Sequence, residues 1–281
     1  MTIKYVEMIK KIRNYFILFF KILFVRTFKL KPWAKNIKIF NLIKSNFANF
    51  HYISNKLKFI YFPKKKIGKY FIDSSLTKTD LCSIGERFQT DKSPYNTILH
   101  RHPYTSIYEL LFSNLRYKKI NFAEIGILNN SSVRTWRNYF KNANIFAFEF
   151  DKNLIRQAKK DNLKNVRYKE IDVTDKRIIS KSFKSSGRIF DVIVDDSTHT
   201  FNDQINIIEV VYKYLSPGGI LVIEDIPRTN KDYSEEKFSK KLKGISKYFS
   251  FINFIECEHI NRFSKGWDND KMLVLIRNSL E

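Results

Sequence analysis

Residues 120–132 read INFAEIGILNNSS. A short apolar run closes on Glu124-Ile125-Gly126, and the polar residues behind it open a helical pattern. That is the shape of a strand, a tight turn and a helix start, the first βα step of a parallel sheet. A glycine directly after such a strand lets the backbone approach a bound nucleotide.

Working outward, short apolar runs alternate with helical patterns over the rest of the chain. Strands are expected at 120–125, 145–150, 166–171, 190–195, 220–224, 251–257 and 272–277. One intervening helix is read over 201–215. It carries Phe201, Ile205, Ile208, Val211 or Tyr212, and Leu215 on one face, with Thr200 and Asp203 as a capping box. The expected fold class is α/β: a doubly wound, mostly parallel sheet of seven strands. Ligands of such sheets bind beyond the carboxyl ends of the strands, so the residues at those ends matter most. The second strand ends in Glu149, placed to accept hydrogen bonds from ribose hydroxyls, and Asp172 after the third could reach an adenine edge. A full G-x-G-x-x-G is absent. The fourth strand ends in Asp195-Asp196-Ser197-Thr198-His199, and the fifth, behind Pro217-Gly218-Gly219, ends in Glu224-Asp225. If those strands are neighbours, Asp196, Glu224 and Asp225 share one crevice with His199. Crowded carboxylates repel unless a cation neutralises them, and oxygen ligands suit Mg²⁺, Mn²⁺ or Ca²⁺.

Composition bounds the function. The 281 residues carry 51 Lys and Arg against 28 Asp and Glu, a net charge of +23. Hydrophobic residues at 43% and charged residues at 28% exclude both a disordered chain and a polytopic membrane protein. Cys82 and Cys257 lie far apart, which excludes a disulfide scaffold or a cysteine zinc site and points to a reducing compartment. Residues 1–80 hold 18 Lys and Arg and three acids, a net of +15, leaving +8 for the remaining 201 residues. An AT-rich coding bias also enriches Lys, Asn, Ile, Phe and Tyr, and accounts for the overall charge better than for its polarity along the chain.

The first third reads as a separate unit. The run YFILFFKILFV over 15–25 is too short to span a bilayer, and no small-x-small cleavage site follows it. Trp33, Ile37, Phe40, Ile43, Phe47, Phe50, Ile53, Leu57 and Ile60 recur at three and four, one helical stripe. The expectation is a basic, aromatic-rich helical extension over 1–74 and a catalytic domain over 75–281. The stripe either packs on that domain or a second copy of the chain, giving a homo-oligomer, or lies on an anionic membrane. Lys64, Lys65 and Lys66 read as a solvated linker.

Several motifs occur in order: Gln89-Thr90-Asp91-Lys92, the Tyr104 and Tyr108 pair, Glu124-Ile125-Gly126, Ser132-Val-Arg-Thr-Trp136, Asp195-Asp196 with Thr198-His199, and Ile223-Glu224-Asp225. Over about 80–278 the chain resembles the S-adenosylmethionine (SAM)-dependent sugar O-methyltransferases related to the macrolide-sugar enzymes, which have a Rossmann-like methyltransferase sheet. Similar sequences are frequent in bacterial surface-polysaccharide clusters. The resemblance implies that Gly126 and Glu149 contact the methionine and ribose parts of SAM, and that Asp172 lies near the adenine. Thr90, Asp91 and Lys92 would help close the cofactor site, and Glu124 and Asp195 would stand on its cofactor side. It further implies that Asp196, Glu224 and Asp225 bind a divalent metal, Mg²⁺ above others, and that His199 is the general base.

The sequence departs from the family where Asn130 and Ser131 replace G-G or G-A in the turn; Asn tolerates positive φ better than most residues. The implied partner is a sugar or glycan acceptor, and the implied location is the cytoplasm, peripheral at the inner face of the membrane. Base-amine methylation lacks its Asn/Asp-Pro-Pro-aromatic motif, which disfavours nucleic acid as the acceptor. RNA ribose methylation, a non-catalytic SAM-fold binding protein and a metal-dependent hydroxylase or hydrolase are the alternatives.

Overall fold

The computed structural model describes residues 67–98, 100–264, 266 and 268–279. The amphipathic stripe and the lysine run expected ahead of residue 67 therefore lie outside the described residues.

A strand, β1 (Gly68–Asp73), is followed by α1 (Asp80–Phe88), a two-residue β2 (His100–Arg101) and α2 (Tyr104–Phe112). Then come β3 (Asn121–Ile125), α3 (Ser131–Tyr139), β4 (Asn144–Glu149), α4 (Lys152–Lys159), β5 (Val166–Glu170), α5 (Lys176–Ser186) and β6 (Phe190–Asp195). The chain continues through α6 (Phe201–Val211), β7 (Leu215–Ile223), α7 (Glu235–Lys241), β8 (Phe249–Glu258), β9 (Phe263–Ser264) and β10 (Lys271–Arg277). The main sheet has eight strands in the order β1-β8-β10-β7-β6-β3-β4-β5, while β2 and β9 pair as a separate ribbon. Within the main sheet, among the described residues, only β10 runs antiparallel to its neighbours, and the β2–β9 ribbon is antiparallel as well.

All seven expected strands form. The eighth, β1, lies ahead of the expected domain start at 75 and pairs in parallel with β8 from Gly68↔Asn253 to Asp73↔Glu258. As an edge strand it buries little: Tyr70 and Phe71 remain mostly exposed. No alternation between buried and polar positions marked it in the sequence. The helix read over 201–215 also ends earlier. A 3-10 turn takes Tyr212–Tyr214, and Leu215 already pairs with Phe190 of β6. Its start holds: Thr200 accepts the Asp203 amide at 3.3 Å.

Side chains of successive strand residues enter two cores, one on each face of the sheet. Ala123, Ile125, Phe146, Phe148, Ile193 and Leu221 face α5, α6 and α7. Phe122, Ile145, Ala147, Val192, Val194 and Val222 face α1, α2 and α3. Burial on both faces is why these strands read as nearly continuous apolar runs. The chain leaves β3 toward β4 and β5, then returns to place β6 on β3's other side, with Ile125 beside Asp195. The order reverses there, so the carboxyl ends of β3 and β6 part and open a crevice.

Candidate active site at the carboxyl ends of the strands

The crevice contains a cavity of about 340 Å³. Its β3–β4 side is built largely from backbone. Gly126 has φ +85°, and a Cβ there would stand 2.0 Å from the Asp196 carbonyl oxygen, so the position admits only glycine. The following loop turns through Leu128 (φ 42°) and Asn130 (φ 68°) into α3. Asn130 thus supplies the left-handed residue that a glycine would otherwise provide. Its amide donates to Asp161 at 2.7 Å and to the Tyr168 hydroxyl at 2.9 Å, which fixes the turn. Glu149 folds back over this loop. Its Oε2 accepts the Ile127 amide at 3.0 Å, and Oε1 accepts those of Phe150 and Asp151 at 2.7 and 3.0 Å. Oε2, with one amide on it, keeps lone-pair capacity for a hydroxyl donor. Phe150, Leu154, Ile171 and Val173 add an apolar wall beside it.

The β6–β7 side is built from buried charge. Asp196 Oδ2 pairs with Lys92 Nζ, and its other oxygen, Oδ1, lies 3.9 Å from His199 Nε2. Asp225 Oδ1 accepts the Tyr104 hydroxyl at 2.7 Å, and Oδ2 lies 3.7 Å from His199 Nε2 and 3.9 Å from His102 Nε2. Each carboxylate is anchored through one oxygen and offers the other to a common point. Asp196, His199 and Asp225 each present one ligand atom there, all within 4.8 Å of one another. His199 and Asp225 both hold positive φ, 57° and 54°, which for such residues marks backbone bent to aim a side chain.

Beneath this group lies a buried network. Lys92 also pairs with Glu224 and stands 3.7 Å from Glu124. Tyr108 donates its hydroxyl to Glu224. Glu124 accepts from Ser132 at 2.8 Å and from Trp136 Nε1 at 3.0 Å. Burial alone would lower the Lys92 ammonium, but Asp196, Glu224 and Glu124 hold its proton affinity well above the ordinary lysine value. Burial raises Glu124 to about 7 against the pull of Lys92. Asp195, buried and bonded to the Ser197 hydroxyl at 2.7 Å, is raised to about 7 by the same loss of solvent. His102 sits between Asp225 and Asp270, with Nδ1 2.8 Å from Asp270 Oδ1. Burial would depress its imidazole; Asp225 and then the bond to Asp270 overcome this and raise it to about 10.

The expected residues thus divide. Thr90, Asp91, Gly126, Glu149, Asp196, His199 and Asp225 border the cavity. Lys92, Glu124 and Asp195, expected beside the cofactor, lie beneath it instead. Asp172 turns away to cap its own loop, accepting the Thr174 amide at 2.9 Å, while Ile171 and Val173 on either side face the cavity. Glu224, expected to ligate metal, is fully buried among Lys92 and Tyr108 and does not join the Asp196, His199, Asp225 group. Glu224 continues the β7 alternation inward, whereas the positive φ of the next residue swings Asp225 into the crevice. Sequence reasoning missed His102, Phe150, Leu154, Ile171 and Val173. The last two could have been found from the period of two around Asp172.

A profile described as a methyltransferase domain matches residues 131–273. The 8-demethyl-8-alpha-L-rhamnosyl tetracenomycin-C 2'-O-methyltransferase of Streptomyces olivaceus is 26% identical over 133 residues, 44% of this chain and 33% of that protein. The mycinamicin VI 2''-O-methyltransferase of Micromonospora griseorubida is 24% identical over 157 residues, 53% of this chain and 36% of that protein. Among solved structures, the MycE methyltransferase from the mycinamycin biosynthetic pathway, in complex with Mg and SAH, superposes with a TM-score of 0.53 at 17% identity. That match covers 72% of this chain and 55% of the other. The chain spans about a third of the length of the curated relatives it matches, and at 17% identity the structural likeness shows the fold alone.

Proposed function

Because this chain belongs to the methyltransferase-domain family, we propose that it transfers a methyl group from SAM to a sugar hydroxyl, assisted by a divalent cation. The sugar O-methyltransferases it resembles support the sugar hydroxyl; the acceptor class we assign beyond that is a bacterial surface glycan or its precursor. The observation that carries this reading is the Asp196, His199, Asp225 group lining the same cavity as Gly126 and Glu149.

The residues fit both groups. The backbone approach at Gly126, the apolar wall and the hydroxyl-accepting Glu149 suit an adenosyl ligand. The free oxygens of Asp196 and Asp225 suit Mg²⁺, which takes one or two carboxylates and fills its remaining positions with water or substrate oxygen. Bound there, the cation would lower the pKa of a coordinated hydroxyl and orient it; SAM would supply the methyl group. The chain's own residues do the rest. Lys92 and Tyr104 hold the two carboxylates in place. His199 Nε2 takes the hydroxyl proton, a role worth about 10²–10⁴-fold for a positioned base. The Gly126–Asn130 turn and Glu149 fix the donor so that attack runs in line.

Of the extension expected over 1–74, the part ahead of β1 is the segment we assign to contact with an anionic membrane or a second copy of the chain. No helix among the described residues is long and apolar enough to cross a membrane. The test is incubation with labelled SAM and a panel of nucleotide sugars, lipid-linked glycans and finished polymer, with and without EDTA. Label should enter a sugar hydroxyl, vanish with chelator and return with Mg²⁺. Undiminished transfer in EDTA rejects the cation, and label entering RNA ribose instead rejects the acceptor.

A further inference from the structure

Of the +8 net charge on residues 81–281, all is concentrated in one place. Residues 152–188 carry twelve Lys and Arg against four acids, a net of +8, so the rest of that domain sums to zero. These residues form α4, β5 and α5, which end the sheet opposite β1. We propose that this edge is a docking surface for an anionic phospholipid membrane.

Eleven of the twelve basic side chains are exposed, all but Lys169. Lys152, Lys176 and Arg177 have acidic partners. Lys159, Lys160, Lys164, Lys181 and Lys184 have none among the described residues and project into solvent. Protection of an edge strand against mispairing requires charges on the strand itself. It explains Arg167 and Lys169 but not the ten basic residues on the flanking helices and loops. Lysines also occur over the rest of residues 81–281, 13 of the 21, but there acids balance the basic residues, and only at 152–188 is the excess left uncompensated.

The geometry favours a lipid surface over a nucleic acid. The helix α4 contributes Ala158 to one core and α5 contributes Ile179 and Phe183 to the other, so the charge wraps both faces and the edge between them. Charge carried on both sides of a sheet edge suits a planar sheet of headgroups; a nucleic acid strand is usually tracked by a groove with stacking platforms. No aromatic side chain of 152–188 is exposed: Phe183 is buried and Tyr168 half-buried. Eight of the twelve cations are lysines, point charges suited to headgroup attraction rather than to bidentate phosphate or base recognition. Exposed Ile178 and Ile189 add small apolar contacts at the same rim. The surface is drawn from residues 152–188 and does not rest on the methyl-transfer reading.

The test uses the full chain and sedimentation with vesicles of phosphatidylcholine alone or with phosphatidylglycerol. One variant carries Lys159→Gln, Lys160→Gln, Lys164→Gln, Lys181→Gln and Lys184→Gln. A control removes five exposed lysines elsewhere: Lys231→Gln, Lys240→Gln, Lys241→Gln, Lys243→Gln and Lys247→Gln. Unfolding temperature and SAH binding confirm that both fold. The chain should bind only the anionic vesicles. The edge variant should bind them at least about tenfold more weakly, since each lysine near an anionic surface contributes about 1 kcal/mol, and the control should stay close to the parent. No binding by the parent, equal loss in both variants, or no loss in the edge variant overturns the proposal. So does an edge variant that loses affinity for duplex RNA while its vesicle binding is unchanged.

Discussion

The two sides of the crevice are made by different means. The β3–β4 side comes from a short stretch of chain, Gly126 to Glu149, and works through backbone: a glycine, an αL asparagine and a carboxylate bonded to three amides. The β6–β7 side is assembled across the sequence. Lys92 meets Asp196 over 104 positions and Glu224 over 132, and Tyr104 meets Asp225 over 121. The first side depends on few side chains, chiefly the missing one at Gly126 and the carboxylate of Glu149. The second depends on buried charges that must all be present, because a buried ion left without its partner is costly.

Removing the proton acceptor should separate the two sides most sharply. His199→Ala should lower methyl transfer by about 10²–10⁴-fold and leave SAH affinity unchanged by calorimetry; a comparable loss of SAH affinity would merge the sides into one unit.

A pH series probes the charged side alone. The folded-state pKa of His102, about 10, lies above its unfolded value of 6.5. Its contribution to stability is therefore complete below about 6.5 and is lost as pH rises through about 10, up to about 5 kcal/mol in all. The unfolding free energy of the parent minus that of His102→Gln should shrink between neutral pH and about 10. A constant difference would mean that His102 is neutral in the fold.

On the backbone side, Gly126→Ala places a methyl group against the Asp196 carbonyl at a positive φ. It should cost about 3 kcal/mol in denaturant unfolding, combining overpacking and αL strain; an unaffected midpoint would show that the turn yields.

The smallest effect is expected from Tyr104→Phe, which frees one oxygen of Asp225. Mg²⁺ affinity should fall about tenfold, as for other residues that orient a metal ligand, with SAH binding intact. Equal Mg²⁺ affinity would remove Tyr104 from the cation site.

The same contrast explains what the sequence disclosed. Every central strand was legible, because burial on both faces leaves an apolar run that Gly, Pro and Asp delimit. Gly126 and Glu149 were legible as strand-end residues of fixed type. On the charged side the acids could be named but not told apart. Glu224 and Asp225 are adjacent, and only a left-handed turn at Asp225 decides which one reaches the crevice. Asp195 and Asp196 divide in the same way, one buried on Ser197 and the other at the rim. Lys92 reads in the sequence as a cofactor contact, whereas the fold surrounds it with three carboxylates contributed from distant strands. Strand β1 was lost because an edge strand with exposed aromatics has no buried face to read.

The most direct test is a calorimetric titration of SAH followed by Mg²⁺, on the parent and on Asp196→Asn combined with Asp225→Asn. SAH should bind both proteins, and Mg²⁺ should bind the parent alone. Absence of SAH binding to the parent, or equal Mg²⁺ binding to both proteins, would contradict a crevice divided into a cofactor side and a cation side.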